Sequence, residues 1–554
     1  MYRHKLNADA TMAKLISADL TDNKLCILEY TTADGKMLSI KSSKFDIAMP
    51  FDAEIISHTY TNIGNIVFQR PITTIGYNAF LNCSNLSSIT IPNSVTTIKS
   101  GAFIGCTNLT SITIPNSVTT IENRAFTFCK KLKKFSGKFA SSDNRCLIAN
   151  GILNSFAPAG LTEYTIPDNV TIIGHDTFCG CSNLNSIIIP DGVTIIGGST
   201  FSHCSNLTSV IIPNGVTIIG NSAFSHCNSL KDTTIPDSVK TIESYAFYDC
   251  ANLTSITIPN NVTKIGDYAF CDCHSLTSVT IGNSVTTIGE RAFCGCNSLT
   301  NVTIPDSVTA IKDGTFYNCC SLKSVKIGNS VTYIGASAFY DCSSLMSVTI
   351  PDSVTTIANS AFSSCNGITQ FNGKFATDDG ICLIINGKLH SVAKCGITKY
   401  IIPDAVTSID SSAFYGCCNL TSITIPNSVT TIENGAFSGC TNLTSVTIPD
   451  SLTEIRERVF MDCHSLTSIT IPDSVTTIGD GAFRGCSSLT RVTIGKGVSK
   501  IGTDAFKNCN IDTIVCCPKI PPKINDSFDM FENLIVPTGC EEAYANSYWG
   551  AYLE

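Results

Sequence analysis

Charge is scarce in this chain of 554 residues. Asp, Glu, Lys and Arg make up 14% of it, against roughly a quarter in ordinary soluble domains. The 36 basic and 44 acidic residues leave a net charge of −8 with no basic block, which argues against nucleic acid as a partner. No run of eighteen apolar residues occurs, so no segment reads as a membrane-spanning helix. The opening residues MYRHKLNADATMAKLISADL lack the apolar core of a secretory signal. The motifs H-E-x-x-H, G-x-S-x-G and G-x-x-x-x-G-K-[ST] are missing too, and with them the usual metalloprotease, serine-hydrolase and P-loop readings. What is present is 43% hydrophobic residues, too many for a disordered polymer, and a strong internal repeat.

Length alone suggests three or four domains, but periodicity overrules that prior. Seventeen phenylalanines recur every 23 residues in three blocks: Phe80 to Phe126, Phe178 to Phe362, and Phe414 to Phe506. Each unit reads L-x-x-I-x-I-P, a turn with Asn, Asp or Gly, V-x-x-I, a few small or polar residues, then A-F-x-x-C. In Leu443 to Pro449 the alternation Val446, Thr447, Ile448 predicts a strand with one buried face. Pro449 ends it by withholding an N–H donor. Leu452 and Ile455 return to the core. Ala-Phe-x-x-Cys fits one short helical turn with Phe and Cys on one side. A 23-residue unit cannot bury a core alone, whereas stacked units cover one another. Twenty strands are expected, the first carried by Ile63, Ile66 and Phe68, giving a rod or arc about 95 Å long at ~4.8 Å per strand.

The 29 cysteines follow the same phase: seventeen stand three residues after a ladder phenylalanine, from Cys83 to Cys509. A cysteine locked to a repeat acts as a small hydrophobe, so a buried ladder of free thiols is expected. Two segments interrupt the repeat, GKFASSDNRCLIANGILNSFAPAGLTEYTIP (137–167) and GKFATDDGICLIINGKLHSVAKCGITKYIIP (373–403). Asn150-Gly151 and Asn386-Gly387 mark a β-hairpin in each. The expected division is a β-rich N-terminal cap (1–62), a solenoid (63–515) with hairpin-containing coils at 132–160 and 368–396, and a C-terminal cap (516–554). That last cap should hold a strand at 533–537 and a helix from about Gly539, with Thr538 and Glu541 as a capping box. Tyr544, Tyr548, Trp549 and Tyr552 would form its aromatic face.

The unit L-x-x-I-x-I-P-x-x-V-x-x-I-x-x-x-A-F-x-x-C resembles the BspA-like, or Treponema pallidum-type, leucine-rich repeat. IVPTGCEEAYANSYWGAY is similar to the terminal segment of such bacterial proteins. The resemblance implies a right-handed repeat solenoid, an arc with parallel strands on its concave face. It also implies a non-enzymatic binding or adhesion role toward protein or glycan, commonly at a cell surface. The missing signal and the thiol ladder favour the alternative, a cytoplasmic interaction or assembly scaffold, and the cellular side stays open between these two. No catalytic residue, cofactor or metal site is expected. The solenoid should be a monomer or associate weakly end to end.

Candidate contact residues come from the strands. Between the buried Leu, Ile and Ile stand mostly Ser and Thr, such as Ser111 and Thr113, Ser255 and Thr257, Ser422 and Thr424, and Ser445 and Thr447. Thr suits strands in any case. The positions that break the rule are therefore the specific candidates: Asp232, Lys326, Gln370, Asn372 and Arg491. On the turn edge Tyr317 and Tyr340 occupy equivalent places in successive coils, with Tyr248 and Tyr415 elsewhere in that column. His203 and His226, also equivalent, read as solvent-facing neighbours of the turn rather than metal ligands. Cys271, Cys273 and His274 with Cys294 and Cys296 depart from structural zinc spacing.

Overall fold

The computed structural model describes residues 25–40, 50–529 and 531–552. The chain is a parallel β-solenoid of about twenty turns of ~23 residues with very little helix. It divides into two compact units, Met1–Leu276 and Thr277–Glu554.

In the first unit Cys26–Thr32, Ile55–Tyr60 and Gly64–Phe68 form a four-stranded sheet with the first repeat strand, Leu86–Thr90. All of its pairings are antiparallel. Ile66 and Phe68 thus do not open the parallel stack. Their strand lies between two cap strands, and Cys26–Thr32 covers the first coil instead. The alternating apolar residues there fit either role, and only the partner strands decide between them. Within the N-terminal cap Cys26–Thr32 and Ile55–Tyr60 are strands, Met37–Ile40 is not, and residues 1–24 and 41–49 fall outside the described residues.

Two parallel ladders run through the coils. One is built from the Leu-x-x-Ile strands, such as Glu163–Thr165, Ser186–Ile188, Ser209–Ile211 and Asp232–Thr234. The other comes from V-x-x-I, for example Ile172–Ile173 on Ile195–Ile196. Each hairpin joins the second ladder. Ile152–Phe156 pairs antiparallel with Cys146–Ala149 and parallel with Ile172–Ile173. Asn150 and Gly151 have φ of 52° and 76°, the left-handed pair that a two-residue turn requires. The hairpin fills a coil position and adds one outer strand.

The Ala-Phe-x-x-Cys segment is not a helical turn. The residues two before and two after every ladder phenylalanine have positive φ, as at Asn78 and Asn82, or Tyr245 and Asp249. This alternation aims successive N–H groups at the next coil: Asn78, Phe80 and Asn82 donate to the carbonyls of Ser100, Ala102 and Ile104. Stacking thus adds a third hydrogen-bonded ladder beside the local turn bonds, such as Leu81 N–H to Asn78 O and Cys83 N–H to Phe80 O. Inside it the phenylalanine rings stack, 5.2 Å apart from Phe178 through Phe201, Phe224 and Phe247 to Phe270.

The buried cysteines do more than fill space. Cys204, Cys227 and Cys250 donate S–H bonds of 3.2, 3.1 and 3.1 Å to the carbonyls of Phe178, Phe201 and Phe224 in the preceding coil.

The second unit repeats these ladders around the hairpin Cys382–Ile385 and Lys388–Val392. Its last strands, Arg491–Ile494, Thr513–Cys516 and Asn533–Ile535, are parallel. Phe528 stacks 5.0 Å from Phe506 and extends the phenylalanine ladder into the cap. The helix is Glu541–Ala545, with Cys540 at its N-cap and no side-chain cap bond, so the expected capping box does not form. Tyr544 and Trp549 are fully buried. Tyr544 donates to the Pro518 carbonyl at 2.7 Å, and the Trp549 indole N–H donates to that of Pro522 at 2.8 Å. Tyr548 points outward at 81% exposure. The Tyr552 side chain lies outside what is described.

Candidate binding face

The first ladder orders a flat face. In most coils the fourth residue of L-x-x-I-x-I is buried while the third and fifth are exposed or half-buried, so pairing in register stacks like residues into columns. Threonines in the column flanking this face turn back to the backbone: Thr208 donates to Asn185 O at 3.2 Å and Thr444 to Thr421 O at 3.0 Å. A matching column on the V-x-x-I side does the same, Thr217 to Thr194 O and Thr430 to Thr407 O. The hydroxyls of Ser255, Thr257, Ser445 and Thr447 face outward and bond no other described residue. The repeat therefore supplies two kinds of hydroxyl, one engaged in holding coils together and one left to solvent.

The rule-breaking residues fall in these columns. Asp232 is in register with Ser209, Lys326 with Thr303, Gln370 and Asn372 with Ser347 and Thr349, and Arg491 with Ser468. All are exposed except Asn372, which is half-buried. They fall in four coils, Asp232 in the first unit and the rest in the second. Tyr317 and Tyr340 stack 4.9 Å apart, half-buried on the turn edge and away from this face.

Three residues that pattern reading passed over are more prominent. Ile188, Ile211 and Ile401 occupy the threonine column at 61%, 79% and 73% exposure. The uninterrupted run Ile187-Ile188-Ile189, where other coils alternate with Thr, was the available signal. Beside Ile211 a shallow depression of about 630 Å³ is lined by Asp232, Thr234, Ser255 and Thr257. Its floor holds Thr233 in place of the usual Val or Ile, and Thr233 donates to Val210 O at 3.2 Å.

Ionisable clusters lie elsewhere. His203 and His226 stack in parallel, centroids 4.4 Å apart, which aims their nitrogens alongside each other and not at a shared point. His226 Nδ1 lies 2.8 Å from Asp249. Burial, then His226 beside it, holds His203 below the ordinary imidazole pKa. At the second hairpin, Asp410 is 1% exposed and contacts Lys388 Nζ and His390 Nδ1, each at 2.9 Å. Burial alone would raise its pKa, but the hydrogen bonds and charges of His390 and Lys388 outweigh that and hold it below the usual carboxylate value. Among the described residues no three His, Cys, Asp or Glu side chains are grouped to hold a metal ion, and no helix is long and apolar enough to cross a membrane.

The sequence matches the family model of the BspA type leucine rich repeat region, in six copies over residues 56–146, 153–277, 263–377 and 407–534. Among solved structures, a leucine rich cell surface protein from Faecalibacterium prausnitzii is 29% identical, covering 73% of this chain and 93% of that one, with a TM-score of 0.48. A leucine-rich repeat protein from Bacteroides ovatus is 26% identical over 88% of this chain and 100% of its own, with a TM-score of 0.36. The Treponema pallidum leucine rich repeat protein is 27% identical over 35% of this chain and 82% of its own, with a TM-score of 0.28. No curated protein matches.

Proposed function

Because the chain belongs to the BspA-type leucine-rich repeat family, a family of non-enzymatic repeat scaffolds, we propose that it is an adhesion protein whose Ser/Thr face takes a protein or glycan surface. The observation that carries this reading is the split between hydroxyls. The flanking threonines are bonded to backbone, while the face presents free Ser and Thr in register over successive coils. Donors and acceptors held on a rigid sheet lose little entropy on binding, and a repeated array gains by multivalency. Asp232, Lys326, Gln370, Asn372 and Arg491 would give local selectivity, and the tyrosine pair Tyr317 and Tyr340 a second contact at the edge.

The test replaces Ser422, Thr424, Ser445, Thr447, Ser468 and Thr470 by Lys, with circular dichroism to confirm folding. Wild type and variant are compared on immobilised host-matrix proteins and glycans. At least a tenfold loss of binding is expected. Retained binding, or a wild type that binds neither array, overturns the reading. A second reading, an assembly scaffold in a reducing compartment, is favoured by the buried thiols. Digestion by protease on intact cells separates the two.

A further inference from the structure

Coiling assembles a basic patch that the linear sequence interrupts. Five lysines fall in the nine residues from Lys130 to Lys138. Leu132 and Phe135 stand between them and are fully buried, so Lys130, Lys131, Lys133 and Lys134 come out together on the surface of one coil. None of these four forms an ion pair among the described residues; Lys131 donates to Asn108 Oδ1 at 2.7 Å. The other cations nearby are engaged. Arg124 pairs with Asp176 at 2.6 Å, and Arg145 donates to the carbonyls of Ala157 and Ala159. Lys138 donates to Asn116 O at 3.2 Å and lies over Phe139. On the hairpin side stand two carboxylates, exposed Glu163 on the next strand of the face and Asp143, which accepts from Ser141 and the Tyr164 hydroxyl. On the other side residues 103–121 carry no charge. Asp34 is bonded to Asn85, two coils or about 10 Å back, and salt screens exposed charges beyond about 8 Å.

The second hairpin supplies an internal control. The strand before it, Gln370–Gly373, pairs with Ser347–Ile350 as Lys134–Gly137 pairs with Ser111–Ile114. Phe371 and Phe135 both meet the preceding ladder phenylalanine nearly at right angles. Lys374 keeps the two contacts of Lys138, donating to Asp352 O and lying over Phe375, so that lysine serves the hairpin. Asn366, Gly367, Thr369 and Gln370 take the places of the other four, and the fold does not require cations there. We infer that Lys130, Lys131, Lys133 and Lys134 bind an anionic polysaccharide, one bearing sulfate or carboxylate groups along its chain. Exposed ammonium groups gathered on one coil attract a repeating anion. The adjacent coil adds Ser111 and Thr113, whose hydroxyls bond no other described residue and suit sugar hydroxyls. Nucleic acid fits less well. Phosphate recognition favours the arginine fork and base stacking needs open rings, whereas both nearby arginines are engaged, the Phe128 ring packs against Gly180 and Lys138 covers Phe139. The site rests on the adhesion reading for a glycan ligand but uses different residues in different coils.

Binding of the purified protein to immobilised heparin, followed across salt concentrations, tests this. Wild type is expected to bind and to weaken steeply as salt rises, because the contacts are ionic. Lys130→Gln, Lys131→Gln, Lys133→Gln and Lys134→Gln together should weaken binding at least tenfold. The same change at Lys231, Lys240, Lys323 and Lys519, exposed lysines elsewhere in the chain, should leave it within about twofold, since it alters net charge equally and spares the patch. Circular dichroism checks the fold of each variant, and should the fourfold variant unfold, Lys133→Gln with Lys134→Gln is read in its place. A wild type that does not bind, equal losses from the two sets, or tighter binding to single-stranded DNA or to vesicles of anionic lipid than to heparin overturns the inference. None of these variants alters the Ser/Thr face between Ser422 and Thr470, so heparin binding and adhesion through that face can each fail alone.

Discussion

At the residue scale the cysteine column shows why one side chain recurs. Its sulfur fills the space beside the phenylalanine stack and its S–H reaches the carbonyl one coil back, as Cys486 does with Phe460 O at 3.2 Å. Reading Cys as a small hydrophobe located the column but not this bond, because the acceptor belongs to another repeat. Burial pushes many of these thiols up, Cys129 and Cys463 to about 12, and a thiol without its thiolate is a poor nucleophile. Cys395 and Cys418 alone are exposed. Native protein at mildly alkaline pH should therefore react with a chromogenic disulfide at these two positions first. Partly exposed Cys294, Cys320, Cys517 and Cys540 should follow slowly, and the remainder only in denaturant. Rapid labelling of the ladder cysteines, read by mass spectrometry of peptides, would contradict the buried assignment.

At the element scale the coil and the hairpin behave differently. Phe224 lies 5.2 Å from both Phe201 and Phe247, so Phe224→Ala should cost about 3–5 kcal/mol. Coils contact only their neighbours, so hydrogen exchange should speed up around 201–247 far more than in distant coils. The strands and their phase were legible because stacking forces like residues into like places. The Phe-Cys turn was misread because i, i+3 spacing also fits a helical turn, and the positive φ at Asn78 and Asn82 with the bond from Phe80 to Ala102 shows otherwise. Ile211 was missed for a related reason: Ile reads as core until its phase is fixed. The two hairpins differ in chemistry. Lys388, His390 and Asp410 of the second stand where the first has Ile152, Asn154 and Gly174. Asp410 has a depressed pKa, so its contribution is complete above the ordinary carboxylate value, about 3.9, and is lost as pH falls through the folded value. Exchange protection over Lys388–Val392 should thus fail on acidification before that over Ile152–Phe156. Asp410→Asn should remove the difference and cost about 3–5 kcal/mol near neutral pH. Equal acid sensitivity of the two hairpins would refute this.

At the scale of the whole molecule a solenoid has no single core, and its ends need covers. Cys26–Thr32 caps one end by antiparallel pairing with Leu86–Thr90. At the other, Trp549 packs 5.4 Å from Phe528, which itself continues the ring stack from Phe506. That the sole tryptophan seals the end was legible from its place after the last repeat. The extra rung at Phe528 was not, since the proline-rich segment before it breaks the 23-residue phase. The same tryptophan reports on its own end of the chain. Nearest-neighbour stability lets parts of an array melt apart, so one midpoint need not describe all coils. In a denaturant titration Trp549 fluorescence should follow the C-terminal coils while circular dichroism averages all of them. Phe483→Ala, in a ring stack 5.0 Å from Phe506, should lower the fluorescence midpoint. Phe224→Ala should lower the dichroism curve and leave the fluorescence midpoint in place. Identical shifts of both signals by both variants would mean that the array unfolds as one cooperative body, with coupling that reaches well beyond adjacent coils.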